Sequence, residues 1–370
     1  MKILYYIHAL YVGGAETLIT NYLISLREAG NDVVLVVNLE KDTFLSRALY
    51  DKGIKIIPLN RSSCSSLVRR AKSVLKKVTG YSKIWEKIYR EEKPDVVHIH
   101  TFCDSFEMCN MDPRRVFYSF HSDVARSLSI GSKKNAYKLL EYAKKGMNFT
   151  ALSHVMVSDI KEKIMAENVF YVPNAIDLKK VRSSRYDKEE FLKENGLPAD
   201  AFIMGHVGRF HPVKNHEKLF SVFAEIHKRC SAARLLLVGT GSPEEIDRVE
   251  NLKKKYNVCD ITLMLGLRSD ATAIMSVFDA FVLPSFCEGL PLVLLEAEAQ
   301  GVRCVVSNVV PAESMCEGCI SLDPKDSDEA WANAILSSEH KSSQNQIEEF
   351  DINGIVAKLV KLYAAAAYAQ

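Results

Sequence analysis

The stretch FCEGLPLVLLEAEAQG, residues 286–301, decides how its part of the chain folds. The residues before it, AFVLPS at 280–285, form a short apolar run that is typical of a buried strand. Pro291 suits the first turn of a helix, and Gln300 with Gly301 indicates where that helix ends. A buried strand followed by a tight turn and a helix is the repeating unit of a parallel α/β sheet.

The same pattern recurs along the whole chain. Apolar runs such as KILYYIH, DVVLVVNL and DVVHIH alternate with helical patterns, and a second series starts with FIMGHVG and ARLLLVG. Continuous apolar strands between helices predict a parallel sheet that is covered on both faces. A chain of 370 residues also exceeds what one core usually supports. We therefore predict an α/β protein with two doubly wound domains, at 1–172 and 173–350, and a final helix at 351–370 that returns toward the first domain.

Composition limits the class of protein. The net charge of +2 argues against a general nucleic-acid binder. The nine cysteines are odd in number and scattered, and no targeting signal or membrane-spanning stretch is recognisable. We expect a cytoplasmic protein with reduced thiols.

Two glutamates flank the apolar run of the first stretch. Glu288 precedes the predicted helix, where the backbone N–H groups of Gly289 and Leu290 favour an anion such as a phosphate. Glu296 lies further along, about 10 to 12 Å away at the helical rise per residue. This exceeds the roughly 5 to 9.5 Å between the carboxylates of a glycoside hydrolase. The spacing suits a ligand with hydroxyl groups at both ends and phosphates between them, although a dipole-complementing acid and an exposed helix glutamate also explain it.

Two further loops follow predicted strands, at the edge where doubly wound sheets bind ligands. Gly13 and Gly14 in LYVGGAE permit close approach of a phosphate, but they lack the spacing of a dinucleotide fingerprint, and an ordinary glycine turn is the alternative. Gly208, Arg209 and Lys214 in GHVGRFHPVKN place two cations where a diphosphate would need them, although surface cations are common.

Three histidines lie near strand ends. His98 and His100 alternate along one strand and point the same way, and His121 ends the run RVFYSFH. A histidine at this edge can hydrogen-bond a sugar hydroxyl or move a proton. A hydrogen-bonded core histidine is the alternative, above all for His98.

Two short motifs resemble metal sites. DSD at 326–328 directly precedes a helical pattern, so capping and dipole roles explain it. CEGC at 316–319 lacks the second ligand pair that a structural zinc normally needs. We therefore predict no metal ligands.

Taken together, the motifs VGGAE, SFH, VPNAID, GRFHPVK, LVGTG and EGLPLVLLEAEAQG resemble the retaining glycosyltransferases of family 4, which have the GT-B fold. The resemblance covers nearly the whole chain in the right order. It implies that Glu296 binds the ribose of a sugar nucleotide. It also implies that Glu288 holds the transferred sugar, and that the amides of Gly289 and Leu290 face the sugar and the diphosphate.

The resemblance assigns the remaining donor contacts as well. It implies that Arg209 and Lys214, beside Gly208, neutralise the diphosphate, and that Gly14 with its neighbour lets the first loop approach it. His121 would contact the donor sugar near the reaction centre. Leu267 and Arg268 would meet the base. The expected catalytic set is His121, Glu288, Arg209 and Lys214.

The implied activity is transfer of a hexose or N-acetylhexosamine from a nucleotide sugar, expected to be UDP-linked, to a glycan or lipid-linked acceptor in cell-surface polysaccharide synthesis. The family needs no divalent metal or other cofactor, and front-face attack with retention is expected. A sugar-nucleotide epimerase of the same fold and a non-catalytic scaffold are the alternatives. Ala175, where the family often has glycine, and His211 depart from the pattern and leave the sugar and acceptor contacts open.

The region 66–92 is basic and amphipathic. Lysines and arginines lie largely on one predicted helical face and apolar residues on the other. Such helices bind anionic membrane surfaces, so we expect peripheral attachment to the cytoplasmic face of a membrane. A crossover helix with a solvated basic face is the alternative.

Overall fold

The computed structural model describes residues 1–60, 81–100, 106–130, 133–337 and 346–368. Within them the chain forms two compact units. The first contains Met1–Asn174 and Ile352–Gln370, and the second contains Ala175–Asp351. The predicted basic helical face at 67–78 lies outside the described residues.

The first unit is built on a seven-stranded parallel sheet with the order β3-β2-β1-β4-β5-β6-β7. Its strands are β1 Lys2–Ala9, β2 Asp32–Leu39, β3 Lys55–Asn60, β4 Val96–His100, β5 Val116–Ser119, β6 Asn148–Ala151 and β7 Val169–Tyr171. Its described helices are α1 Gly14–Glu28, α2 Phe44–Asp51, α3 Ser82–Glu92, α4 Val124–Ile130, α5 Lys133–Lys144, α6 His154–Ile164 and the C-terminal α14 Ile352–Ala367.

The second unit is built on a six-stranded parallel sheet with the order β10-β9-β8-β11-β12-β13. Its strands are β8 Ile203–Val207, β9 Arg234–Val238, β10 Thr262–Gly266, β11 Ala280–Leu283, β12 Arg303–Ser307 and β13 Ile320–Leu322. Its helices are α7 Leu178–Ser183, α8 Lys188–Glu194, α9 His216–Arg229, α10 Pro243–Lys255, α11 Ala271–Met275, α12 Leu292–Ala299 and α13 Asp328–Leu336.

Both sheets are doubly wound, as the sequence predicts. Apolar clusters cover the two faces of the second sheet, so alternate side chains of one strand enter different cores: Phe281 packs in one cluster and Val282 in the other. This explains why the central strands are apolar throughout. The chain direction across each sheet reverses at one point, between β1 and β4 in the first unit and between β8 and β11 in the second. Ligands of doubly wound sheets bind at the carboxyl ends of the strands beside such a point.

The helix that follows β11 differs slightly from its prediction. Pro291 is the N-cap residue, with extended backbone, and not a member of the first turn. The helix ends at Ala299 with Gln300 as its C-cap residue, and Gly301 takes the left-handed conformation (φ 77°) that a helix terminus favours. Helix α12 buries residues on most of its circumference, including Leu294, Leu295 and Ala297, because it packs between the sheet and its neighbours.

The C-terminal helix α14 belongs to the first unit. Its Tyr363 is fully buried, and the hydroxyl groups of Tyr363 and Tyr5 lie 2.7 Å apart. None of the helices in the described ranges is both long enough and apolar enough to cross a bilayer.

Candidate active site

Lys214 and Glu288 form an ion pair at the reversal point of the second sheet. Lys214 ends a short 3-10 turn after β8, and Glu288 lies in the loop between β11 and α12. The Nζ of Lys214 is 2.7 Å from Oε1 of Glu288, and their side chains are only 16% and 10% exposed. A backbone hydrogen bond of 2.8 Å from Phe286 N to Val213 O joins the same two loops. The structure therefore brings together two residues that are 74 positions apart in sequence.

The loop that carries Arg209 is held by the glycine turn after β9. Gly208 N donates to Val238 O at 2.9 Å, and Phe210 N donates to Thr240 O at 2.8 Å. A Cβ atom on Gly239 would lie 1.9 Å from the carbonyl oxygen of Gly208, and its φ of 147° also disfavours any other residue. Gly239, the first glycine of LVGTG, is thus required for the two backbone segments to lie this close.

Arg209 itself is exposed and forms no ion pair with any residue that the structure describes. Its neighbour Gly208 lies beside Lys214, because a Cβ atom on Gly208 would be 3.5 Å from Cε of Lys214. The loop therefore carries one cation that is paired with a carboxylate and one whose guanidinium is available to an anionic ligand.

Glu296 lies on α12 and is half-buried. Burial raises the pKa of its carboxyl group to about 7, against the smaller opposing effects of a hydrogen bond from Thr272 and the charge of Lys180. A carboxyl group that gives up hydration in this way gains most from a ligand that replaces the lost hydrogen bonds.

Leu267 and Arg268 follow β10. Leu267 is 49% exposed, whereas the guanidinium of Arg268 donates to both carboxylate oxygens of Asp270 at 2.7 and 2.6 Å. The hydroxyl of Tyr186 also donates to Asp270, at 2.6 Å. Asp270 and Tyr186 were not predicted from the sequence. The opposite charge two positions after Arg268 was the available signal for Asp270, and no sequence signal marked Tyr186.

In the first unit, Gly13 and Gly14 lie at the start of α1, which follows β1. Gly13 is the extended N-cap residue, and α1 begins at Gly14. A Cβ atom on Gly14 would meet no described atom within 4 Å. The open space at Gly14 means that no packing contact of this chain requires a glycine there.

His98 is a hydrogen-bonded core histidine, as the alternative interpretation predicts. Its Nε2 lies 2.7 Å from the hydroxyl of Ser119, and its Nδ1 is hydrogen-bonded to the hydroxyl of Tyr363. Burial holds the pKa of His98 well below its ordinary value, with a smaller effect from His121. No feature of the sequence connects His98 with Tyr363, which lies 265 positions away.

His100 and His121 form a pair. Nδ1 of His100 lies 3.0 Å from Nε2 of His121, and the two rings stack with centroids 5.2 Å apart. Burial lowers the pKa of His121 to about 4 and that of His100 well below its usual range. Both imidazoles are therefore neutral near pH 7. The sequence placed these residues at neighbouring strand ends but did not show that they touch.

The metal-like motifs have structural explanations. The hydroxyl of Ser327 accepts from Ala330 N and caps α13, and Asp328 pairs with Lys218 at 2.7 Å, so the capping role predicted for DSD is confirmed. CEGC forms a turn closed by a hydrogen bond from Cys319 N to Cys316 O. Within the described ranges, no cluster of three or more His, Cys, Asp or Glu side chains is arranged to hold a metal ion.

Glu298 was not singled out from the sequence. Its Oε1 accepts from Cys316 N at 2.8 Å, and burial raises its pKa to about 7, with smaller opposing effects from Cys316 and Cys319. It lies two positions after Glu296 and thus on another side of α12. Nothing in its sequence context distinguishes it from a surface acid.

Comparison with known families accounts for most of the chain. A model described as Glycosyltransferase Family 4 matches residues 12–180, and one described as Glycosyl transferases group 1 matches residues 187–354. The first covers the unit with the histidine pair, and the second covers the unit with Arg209, Lys214, Glu288 and Glu296.

Curated relatives point the same way. A UDP-Gal:alpha-D-GlcNAc-diphosphoundecaprenol alpha-1,3-galactosyltransferase of Escherichia coli is 31% identical over 60% of this chain and 60% of its own length. The capsular polysaccharide biosynthesis glycosyltransferase CapM of Staphylococcus aureus is 26% identical over 82% of this chain and 79% of its own length. The chain spans only 37% to 60% of the length of three curated relatives with which it shares 31% to 37% identity.

A solved structure shows the fold. HepE of Anabaena, in complex with UDP and glucose, is similar with a TM-score of 0.77 and 17% identity, over 99% of this chain and 100% of that chain. The match extends over both doubly wound units.

Proposed function

Because the chain belongs to the family 4 glycosyltransferases, which have the GT-B fold, we propose that it transfers a hexose or N-acetylhexosamine from a nucleotide sugar. The acceptor is a glycan or a lipid-linked sugar in cell-surface polysaccharide synthesis. The observation that carries the proposal is the partly buried Lys214–Glu288 pair beside the exposed Arg209, at the reversal point of the second sheet. This arrangement supplies positive charge and a carboxylate at the edge where such sheets bind ligands.

Arg209 and Lys214 bind the diphosphate of the donor in this proposal. Arg209 is exposed and can bind two phosphate oxygens at once, whereas Lys214 acts as a point charge. As the bond to the sugar breaks, negative charge builds on the diphosphate, and both cations stabilise it. Binding of phosphate beside Lys214 loosens its pairing with Glu288 and leaves that carboxylate for a sugar hydroxyl.

Glu296 binds the ribose of the donor. Two hydroxyl groups can donate to the two oxygens of one carboxylate and replace the water that burial removes. Leu267 packs against the base, since its side chain is exposed while the Arg268 guanidinium is held by Asp270. A uridine nucleotide is the donor we propose. Two observations support it: the HepE complex contains UDP, and the Escherichia coli relative is named for UDP-Gal.

Transfer proceeds with retention of the anomeric configuration, by front-face attack of the acceptor hydroxyl. We assign no nucleophile for a glycosyl-enzyme among the described site residues, because Glu288 binds a hydroxyl group of the transferred sugar in this proposal. His121 contacts the donor sugar, and Gly14 leaves room for the donor to approach the backbone at the start of α1. Leaving-group stabilisation by cations and helix dipoles needs no divalent metal.

The acceptor is presented at the cytoplasmic face of a membrane. The Escherichia coli relative is named for a diphosphoundecaprenol-linked sugar, and region 66–92 is basic. Basic residues near an anionic membrane contribute about 1 kcal/mol each to binding. Replacing Lys76 and Lys77 by glutamate is expected to weaken binding to anionic liposomes about tenfold or more, and unchanged binding would remove the membrane part of the proposal.

The test is release of nucleoside diphosphate from a panel of UDP-, GDP- and ADP-sugars, with and without membrane lipid extract. Wild type is compared with Arg209→Ala and Glu296→Ala. Release from one donor, increased by lipid and lost in both variants, supports the transferase. Conversion of the donor without release supports an epimerase instead. The absence of both release and donor binding supports a non-catalytic scaffold.

A further inference from the structure

The histidine pair of the first unit has a definable protonation pattern. Each ring is neutral and carries one proton, on Nδ1 or on Nε2. A hydrogen bond between Nδ1 of His100 and Nε2 of His121, 3.0 Å apart, requires a proton on one of these two atoms and a lone pair on the other. Two arrangements satisfy this condition.

The surroundings of His100 distinguish the two arrangements. Nε2 of His100 is buried and has no hydrogen-bond partner in the part of the chain that the structure describes. If His121 donated, the proton of His100 would be on this buried Nε2, as an N–H group without an acceptor among the described residues. If His100 donates from Nδ1, only a lone pair is left unpaired, and buried N–H groups without acceptors are the rarer case in proteins.

Neighbouring aromatic rings restrict rotation of the His100 ring. The ring of His98 lies 4.1 Å from it and that of Tyr5 lies 4.7 Å from it, centroid to centroid. His98 is itself held by Ser119 and Tyr363. These contacts restrict the plane of the His100 ring. A half-turn of the ring within that plane would break the contact of Nδ1 with His121, so this contact sets the direction of the Nδ1–H bond.

We propose that His100 is a positioning residue, which holds His121 as the Nδ1–H tautomer so that His121 offers its ligand a hydrogen-bond donor and not a base. Nε2 of His121 accepts from His100, and its proton is on Nδ1. The assignment of that ligand as the donor sugar rests on the proposed function, whereas the tautomer does not. A sugar hydroxyl or ring oxygen can accept from this N–H group.

The direct test is ¹⁵N NMR of the full chain labelled at histidine, near pH 7, with the His121 signals identified by their loss in His121→Gln. We expect a protonated Nδ1 and an unprotonated Nε2 in His121. A protonated Nε2, or averaged signals from two exchanging tautomers, would overturn the inference. The NMR measurement does not require that the protein catalyses a transfer reaction.

Two variants of His100 test its effect on transfer. Asparagine places an amide N–H close to the position of Nδ1, whereas glutamine places it close to Nε2. His100→Gln is expected to lower kcat about tenfold, with KM for the donor changed less than about twofold. His100→Asn should recover activity to within about threefold of wild type. Equal losses in both folded variants would overturn the positioning role.

The tautomer of His121 and its role in the transfer reaction can be refuted separately. If the NMR result is as expected but His121→Gln transfers sugar at the wild-type rate, the tautomer stands and the proposed role of His121 in the reaction is wrong.

Discussion

The ammonium of Lys214 and the carboxylate of Glu288 lie 2.7 Å apart in a setting where neither side chain is more than 16% exposed. Ions that are removed from water are costly, and their mutual attraction offsets this cost only while both are present. The pair therefore makes the loops after β8 and β11 interdependent. A ligand that carries negative charge can compete with Glu288 for Lys214.

Replacing Lys214 by methionine is expected to lower the free energy of unfolding by about 1 to 3 kcal/mol, because Glu288 becomes a partly buried charge without this partner. Nucleoside diphosphate release should fall at least about 100-fold. Denaturant titration and the release assay measure the two effects.

Lys218→Met is the matched control for this variant. Lys218 is 11% exposed and pairs with Asp328 at the same distance of 2.7 Å, outside the proposed site. Its loss should also destabilise the fold, less strongly because Asp328 is 40% exposed, but it should leave release unchanged. Equal losses of activity in the two variants would mean that Lys214 acts through stability alone.

Arg209→Ala should separate binding from stability. Arg209 is exposed and unpaired among the described residues, so the free energy of unfolding should change by less than about 0.5 kcal/mol. Calorimetry should show affinity for UDP at least about tenfold lower, because a charged hydrogen bond to phosphate contributes about 1.5 to 3 kcal/mol. Arg229→Ala, at the far end of α9, should leave the affinity for UDP unchanged, although it removes the hydrogen bonds of Arg229 to Glu225 and Asn333 and so lowers stability. Wild-type affinity in Arg209→Ala would exclude it from diphosphate binding.

The raised pKa of Glu296 predicts a pH-dependent cost in stability. The pKa is about 7 in the folded chain and about 4.5 in the absence of burial, so the unfolded chain ionises first as the pH rises. Ionisation therefore lowers stability between pH 4.5 and 7. Glu296→Gln removes this cost and should be more stable than wild type by about 1 to 3 kcal/mol at pH 8, with no difference below pH 4.5.

Glu298→Gln distinguishes the ligand-binding role from the stability effect. The pKa of Glu298 is also about 7, so this variant should show the same pH-dependent gain. Donor affinity should fall about tenfold in Glu296→Gln and stay at the wild-type value in Glu298→Gln. Unfolding curves from pH 4 to 8, with calorimetry at one pH, test both statements. A gain in Glu296→Gln that does not depend on pH would contradict the assigned cause.

Two glycines should respond to alanine in opposite ways. Gly239→Ala places a Cβ atom 1.9 Å from a backbone oxygen at a φ of 147°, so it should cost about 3 kcal/mol or more of folding free energy. Gly14→Ala places its Cβ atom in open space at the start of a helix and should leave the melting temperature unchanged or slightly higher. It should nevertheless weaken donor binding if the donor approaches there. Wild-type donor affinity in Gly14→Ala would remove Gly14 from the site.

The sequence predicted the two doubly wound sheets because continuous apolar strands and helix-end signals are local properties. VVLVV in β2 and LLLV in β9 are buried as their composition predicts. Pro291 was placed one step too far into its helix, because a proline fits both the N-cap and the first turn.

The proximity of Lys214 and Glu288 could be predicted, because both residues follow strands at the reversal point of the second sheet. Two other contacts could not be predicted: the pairing of His100 with His121, and the hydrogen bond between His98 and Tyr363. They depend on side-chain directions and on where the last helix packs. The ion pair of Arg268 with Asp270 could likewise not be predicted, because it depends on the loop conformation.

The most direct test of the central claim is transfer of a labelled sugar from its UDP donor to a lipid-linked acceptor by the purified chain. We expect organic-extractable product that carries the sugar with the anomeric configuration of the donor, formed by wild type and not by Lys214→Met. UDP-sugar that binds but never yields labelled lipid or glycan with any acceptor, or a product of inverted configuration, would contradict the account.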